Sequence, residues 1–222
     1  MRLTNLWPLV LIVFICMAVA CASVRPIDYW SMRSADGSEI RTRFGQSLPD
    51  SISVVTSAIF EYGRLRFVGI GYTSVNREDG CYKTVALSPL GSKIFELAGR
   101  GDEVTHAVAA EGFQKMPHWP EGIARDVRFA YLDLVPPEDA SAYQEGDRVV
   151  FVSRRSRREV VYSFDRSTSL LISKELTDGD RVISRCRYAF ERLEGKLLST
   201  RTVLENLDGG YTLTVKLKEV RH

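Results

Sequence analysis

From Ser51 to its C-terminal end the chain is a succession of short segments in which apolar and polar residues alternate. The last is the clearest. Tyr211, Leu213, Val215 and Leu217 share one parity, and Thr212, Thr214, Lys216 and Lys218 share the other. A period of two puts successive side chains on opposite faces of a β-strand. Five such runs precede residue 111, at 51–62, 63–76, 81–88, 91–99 and 102–110. Six more follow Gly146, at 147–155, 158–166, 169–177, 181–191, 196–206 and 211–220. They are rich in β-branched and aromatic residues and bounded by Gly, Pro, Asn or Asp. The connecting "EG", "DGD" and "DGG" suit tight hairpins.

Between the two sets the period changes. Ile123, Val127, Ala130, Tyr131 and Leu134 form one helical stripe. Pro120 fits its first turn, and Pro136 and Pro137 stop it. A second short helix is expected over 138–143. Residues 21–50 read as a tether, with a short helix around Ile40–Phe44.

These elements predict a mainly β fold with helices. It is a strongly curved antiparallel sheet of about 11 strands, an unclosed half-barrel formed by one meander and interrupted by one helical excursion. Sheets with one apolar face must cover it, so the helix is expected as a lid over the open side. Residues 51–222 then form a single domain. A curved sheet under one lid leaves a concave apolar cavity, unless its own side chains fill it. The more apolar parity of each element marks the expected wall: Val68, Ile70 and Tyr72 on the second strand, Val85 and Leu87 on the third, and Ile123, Val127 and Tyr131 on the helix.

The N-terminus sets the compartment. The apolar run from Leu6 to Ala20 is shorter than the ~20 residues of a spanning helix and fits the core of a secretory signal. Ala18-Val19-Ala20-Cys21 resembles the lipobox of bacterial lipoproteins, with Ala18 where Leu is usual. That resemblance implies a signal peptide over residues 1–20 and lipidation of Cys21. Ala22 and Ser23 after the cysteine, rather than Asp, imply sorting to the Gram-negative outer membrane, with the protein lipid-anchored on its periplasmic face. An ordinary cleaved signal and an uncleaved anchor are the alternatives.

The lipobox, five strands, the helix over 121–134 and six further strands together resemble the LolA/LolB superfamily of periplasmic lipoprotein carriers and outer-membrane acceptors. The "ALSPLGSKIFEL" segment at 86–97 resembles more specifically a family of Gram-negative outer-membrane lipoproteins often encoded beside aryl-polyene biosynthesis enzymes. The resemblance implies an apolar cavity for acyl or lipid-like cargo and, as a partner, a periplasmic LolA-like carrier. The acceptor's membrane-inserting Leu has its nearest counterpart in Leu90. The turn holding Leu90 is short, and plain burial of this side chain is the simpler expectation.

Other chemistry is sparse. A net charge of +2 on 222 residues argues against nucleic-acid binding. His106, His118 and His222 show no metal-ligand spacing, and "GIG" at 69–71 is no phosphate loop, because no helix follows it. Its glycines mark a bulge or close packing. No catalytic residues, metal or cofactor are expected, and the chain does not read as an enzyme. Cys81 and Cys186 either pair in an oxidising periplasm or remain free thiols. "RRSRR" at 154–158 is either a solvated hairpin turn or a contact for lipid headgroups. Met116 and Trp119 are either a core plug or one rim of the lipid mouth. The main reading is an outer-membrane lipoprotein that binds a hydrophobic cargo for transfer or insertion. The alternative is an accessory lipoprotein that uses its sheet as a scaffold for protein partners.

Overall fold

Among residues 26–116 and 118–221, which the computed structural model describes, thirteen strands form one antiparallel, curled and unclosed sheet. The predicted signal segment 1–20 and Cys21 lie outside the described residues. The strands are β1 (Arg33–Ser34), β2 (Ser51–Tyr62), β3 (Leu65–Asn76), β4 (Cys81–Leu87), β5 (Lys93–Arg100), β6 (Glu103–Ala109), β7 (Ser141–Glu145), β8 (Arg148–Arg155), β9 (Arg158–Asp165), β10 (Leu171–Asp178), β11 (Arg181–Leu193), β12 (Lys196–Asn206) and β13 (Tyr211–Arg221). Helix α1 spans Ser38–Ser47, α2 Glu111–Gln114 and α3 Trp119–Val127, and a π-helical turn, Arg128–Leu132, continues α3.

Two strands exceed the sequence expectation. One is β1. The other, β7, occupies the stretch where a second helix was expected, and pairs with β8 from Ser141↔Val152 to Glu145↔Arg148. The physical reason lies in β8, where Val149, Val150, Phe151 and Val152 are all buried. A strand buried on both faces needs a hydrogen-bonded neighbour on each side, and β7 supplies one of them.

The spatial order is β1-β7-β8-β9-β10-β11-β12-β13-β2-β3-β4-β5-β6. The expected single meander is therefore two meanders, joined where the first long strand meets the last. β2 and β13 pair from Tyr62↔Tyr211 to Ser53↔Arg221. β6 and β7 lie far apart in that order, so the helical excursion that links them crosses the inner face of the curl. The "EG" turn between β11 and β12 holds Glu194 and Gly195 at φ 51° and 79°, as a tight hairpin of that type requires.

Both faces of the sheet are covered in part. On the inner face Phe44 of α1 packs with Phe151, Phe164 and Leu171, and α3 packs on Val75, Tyr82 and Leu97. Outside, Tyr29 covers Val150, Val152 and Val161. The segment expected to be a tether thus lies against the sheet from Ile27 onward, where the backbone N–H of Ile27 donates to the Glu175 carboxylate at 3.3 Å.

Candidate functional site

The inner face and the lid enclose an apolar chamber. Ile52 and Val54 of β2, Val215 and Leu217 of β13, and Tyr131 and Leu134 at the lid form most of its wall. Its free space is about 40 Å³, against ~300–1,000 Å³ for typical ligand pockets. As it stands the chamber is nearly filled by its own side chains.

Among the described residues three buried polar contacts tie the lid to the sheet, besides the Arg128–Asp102 ion pair at its surface. The Tyr211 hydroxyl on β13 donates to the Asp126 carboxylate of α3. The Tyr188 hydroxyl on β11 donates to the Phe129 carbonyl at 3.1 Å. The Lys174 ammonium on β10 donates to the Asp133 carbonyl at 2.6 Å and stands 4.1 Å from the Phe129 ring centre. Burial raises the Asp126 carboxyl to about 6 and lowers the Lys174 ammonium to about 8. The charged forms of these groups are therefore carried at a cost under the lid. A cation near the end of a helix also meets the negative pole of its dipole, which favours Lys174 at Asp133.

At one end of the chamber sits Arg77, in the turn between β3 and β4, beside Leu48 and Pro49. Its Nε is buried and has no hydrogen-bond partner among the described residues. Its backbone N–H donates to the Asp50 carbonyl at 2.7 Å. Burial lowers the guanidinium from its usual value, and the Asp50 charge opposes that shift.

The predicted wall divides into two groups. Val127 and Ile123, on the lid helix itself, pack in the cluster of Val75, Tyr82 and Leu97 beside the chamber, and Tyr131 alone of the predicted wall lines it. Val68, Ile70, Tyr72, Val85 and Leu87 stand on the opposite, outer face. The register settles this. Ile52, Val54 and Thr56 line the chamber and pair with Val75, Thr73 and Gly71, so the odd parity of β3 faces in and the even parity faces out. Tyr72↔Val85 and Ile70↔Leu87 are cross-strand pairs on that outer face, and Val68 and Ile70 are 47% and 37% exposed. Glycines occupy the inner parity because neighbours press close there. A Cβ on Gly69 would stand 2.6 Å from the Leu87 carbonyl oxygen, and one on Gly71 2.6 Å from the Thr56 hydroxyl.

Leu90 is not buried. It is 95% exposed at the tip of the β4–β5 turn, which closes through a Gly91 N–H donated to the Ser88 carbonyl at 2.9 Å. No neighbouring element covers this turn, so plain burial was the wrong expectation. Trp119 packs on Phe95 and Phe113 at ring distances of 6.0 and 5.5 Å, as a core plug would, whereas Met116 is exposed. The basic run is a hairpin turn in which Arg154 pairs with Glu159 at 2.8 Å and lies 5.0 Å from the centre of the exposed Trp30 ring.

Cys81 and Cys186 are both free. Cys186 is fully buried against Phe129, Ala130 and Leu204 on the inner face, whereas Cys81 faces outward and accepts from Arg100 Nε at 3.1 Å. They occupy opposite faces of strands that are not neighbours, which excludes the geometry of a disulfide.

Periodicity made the stripes Ile52/Val54 and Val215/Leu217 legible, but their place in the chamber depends on the β2–β13 pairing. Arg77 carried no sequence signal of its own.

The family described as "Protein of unknown function (DUF3261)" matches residues 72–219. The chain belongs to that family. No curated protein matches it. Three solved structures share the architecture of this DUF3261 chain. A protein domain from Vibrio parahaemolyticus, described as outer membrane lipoprotein-sorting, is 12% identical with a TM-score of 0.54, over 82% of this chain and 90% of its own. A LolA superfamily protein of Nitrosomonas europaea is 11% identical with a TM-score of 0.52, over 85% and 94%. A DUF1329 family protein of Desulfovibrio piger is 11% identical with a TM-score of 0.51, over 84% and 91%. At these identities the likeness is one of fold: the DUF3261 chain has a LolA-like fold.

Proposed function

We propose that the protein is an outer-membrane lipoprotein, anchored through acyl chains on Cys21, that takes one acyl or lipid-like cargo into the chamber and passes it to the membrane. The observation that carries this reading is the apolar lining of the chamber beneath a separate helical lid. The small free volume means that cargo is admitted when the lid moves off the sheet. Burying CH2 groups supplies affinity at roughly 25 cal/mol per Å², and no covalent chemistry is needed. Delivery from a periplasmic carrier of LolA-like fold, and cargo of the aryl-polyene type, are extensions of the same reading.

The arrangement of turns supports a membrane-facing rim. The register places the turns after β2, β8, β10 and β12 side by side, at the end of the sheet toward which the β4–β5 turn also points. That rim carries the exposed Leu65, Leu90 and Leu207, with Trp30 and the basic 154–158 turn. Cys21 is six positions before Ile27, a reach of about 20 Å at most. A lipid there holds the bilayer close to the outer surface of β9 and β10. Apolar tips among basic residues suit an anionic lipid surface.

The test is displacement of a fluorescent acyl probe, with melting measured in parallel. Val54→Glu puts a carboxylate in the chamber and should abolish uptake, whereas Ile70→Glu, on the outer face, should leave it intact. If the folded wild-type protein takes up no probe at any workable concentration, the carrier reading fails. The scaffold reading, which the nearly filled chamber favours, then takes its place.

A further inference from the structure

We infer that the chamber selects a single acyl chain with an anionic head, and that Arg77 receives that head. The inference rests on the carrier reading above and adds the chemistry of the ligand to it. Arg77 lines the one end of an otherwise mostly apolar chamber, with Leu48 and Pro49 beside it. Arginine carries five N–H donors, and a buried donor left unpaired is costly. Arg77 Nε is such a donor, and among the described residues no carboxylate lies within ion-pair distance of the guanidinium. The nearest acid by influence is Asp50, an exposed residue whose charge acts on Arg77 without forming a bridge.

Three neutral hydroxyls at the wall, those of Thr56, Ser199 and Thr202, are already engaged. The Thr56 hydroxyl donates to the Gly71 carbonyl at 3.3 Å, and the Ser199 and Thr202 hydroxyls bond each other at 2.9 Å. Among the described residues Arg77 is thus the one charged side chain at the chamber wall, and its Nε has no partner. A guanidinium fork matches a carboxylate or a phosphate through two parallel hydrogen bonds. Carboxylate and phosphate share this chemistry, so a fatty acid and a lysophospholipid acid are the two sources of such a head. The β3–β4 and β4–β5 turns lie at opposite ends of β4. The head is therefore held at the rim away from Leu90, and the chain runs inward between β2, β13 and the lid.

The test is photolabelling of the full chain in neutral-lipid nanodiscs with three photoreactive C16 probes: the carboxylic acid, its methyl ester, and a lysophosphatidic acid. Crosslinks are mapped to peptides containing Ile52–Thr56, Tyr131–Leu134 and Val215–Leu217. The wild type should label these peptides with an anionic probe about tenfold more than with the ester, in line with the strength of a charge-assisted hydrogen bond. Whichever anionic probe labels more strongly identifies carboxylate or phosphate as the preferred head. Arg77→Met should bring the anionic probes down to the ester level and leave ester labelling unchanged, which shows that the chamber is intact. Arg77→Lys should keep part of the preference, and Asp50→Asn should increase it. Equal labelling by acid and ester in the wild type overturns the role of Arg77 while leaving acyl binding in place. If no probe labels the chamber, the carrier reading falls and this inference falls with it.

Discussion

The Tyr211 hydroxyl on the last strand donates to the Asp126 carboxylate on the lid helix, while Asn206 Nδ2 donates to the same hydroxyl at 3.0 Å. This chain of side chains fastens α3 to the middle of the sheet, at the strand β13 that pairs with β2. Its acid is buried, and burial raises the carboxyl from 3.8 to about 6. A folded state whose carboxyl binds protons more tightly than the unfolded state gains stability on acidification. The gain is complete below pH 3.8 and is lost as the pH rises through 6. Lowering the pH from 7 to 5 should therefore stabilise the wild type by about 1 kcal/mol through this group. Asp126→Asn, which cannot titrate, should lack that increment. Thermal melts of both proteins at the two pH values measure the difference.

Lys174 should give the opposite pH signature at alkaline pH. Burial lowers its ammonium from 10.5 to about 8. Its contribution is complete above pH 10.5 and is lost as the pH falls through 8. Raising the pH from 7.5 to 9.5 should add on the order of 1–2 kcal/mol, relative to Lys174→Met. The comparison is of slopes in denaturant melts. The substitution also leaves the Asp133 carbonyl without its donor, which shifts the baseline but not the pH dependence. Parallel slopes for the two proteins would refute a buried, titrating Lys174.

Gly69 should tolerate no side chain. A Cβ there meets the Leu87 carbonyl oxygen at 2.6 Å and the Phe67 ring at 2.8 Å. A backbone carbonyl held in the β3–β4 ladder cannot step aside as a flexible side chain can. Gly69→Ala should cost about 2 kcal/mol, within the range for overpacking, and a lower denaturation midpoint with unchanged m-value would register it. Gly63, whose Cβ would meet nothing within 4 Å, sits at φ 57°. Its replacement by Ala is limited by backbone strain rather than by space.

Thiol labelling separates the two cysteines of the described region. Cys186 is fully buried, and burial pushes its thiol up to about 12. Only thiolates react readily. In the native protein a maleimide should modify Cys81 and spare Cys186, and denaturation should expose both. Peptide mapping after each treatment reads the outcome, and native modification of Cys186 would mean that the lid opens on the timescale of the reaction.

The legible part of this fold was local. Strand limits followed from alternation, and two prolines gave the end of the helical stretch to within two residues, at Leu132 rather than the expected Leu134, because each signal lies within or beside the segment it describes. What stayed hidden needed contacts between distant residues. The sequence does not state that β2 meets β13. Without that pairing the outer residues Val68, Ile70 and Tyr72 looked like a cavity wall, since they are larger than Gly69 and Gly71. The reverse holds because a tightly curled sheet crowds its inner face, and glycine is the residue that fits there. Helix and strand propensities are likewise too close to separate at 141–145, where the demand of β8 for a partner decides. Arg77 had no periodic signal, since it belongs to a turn, and its burial appears only once Leu48 and Pro49 are folded beside it.

Leu90 separates stability from membrane contact. It is 95% exposed, so a polar side chain at this position should change stability by no more than about 0.5 kcal/mol. Exposed leucines usually need no explanation. This one stands at the tip of a turn on the rim that also carries Leu65, Leu207 and Trp30. If that rim rests on the bilayer, Leu90→Glu removes an apolar contact and adds repulsion from anionic headgroups. The variant should melt like the wild type and bind vesicles containing anionic phospholipid severalfold more weakly in flotation. The Cys21→Ser background removes the contribution of the acyl anchor, so the rim is measured alone. Equal flotation of Leu90→Glu and its parent in that background would leave Leu90 as an ordinary exposed side chain and remove the rim from the membrane.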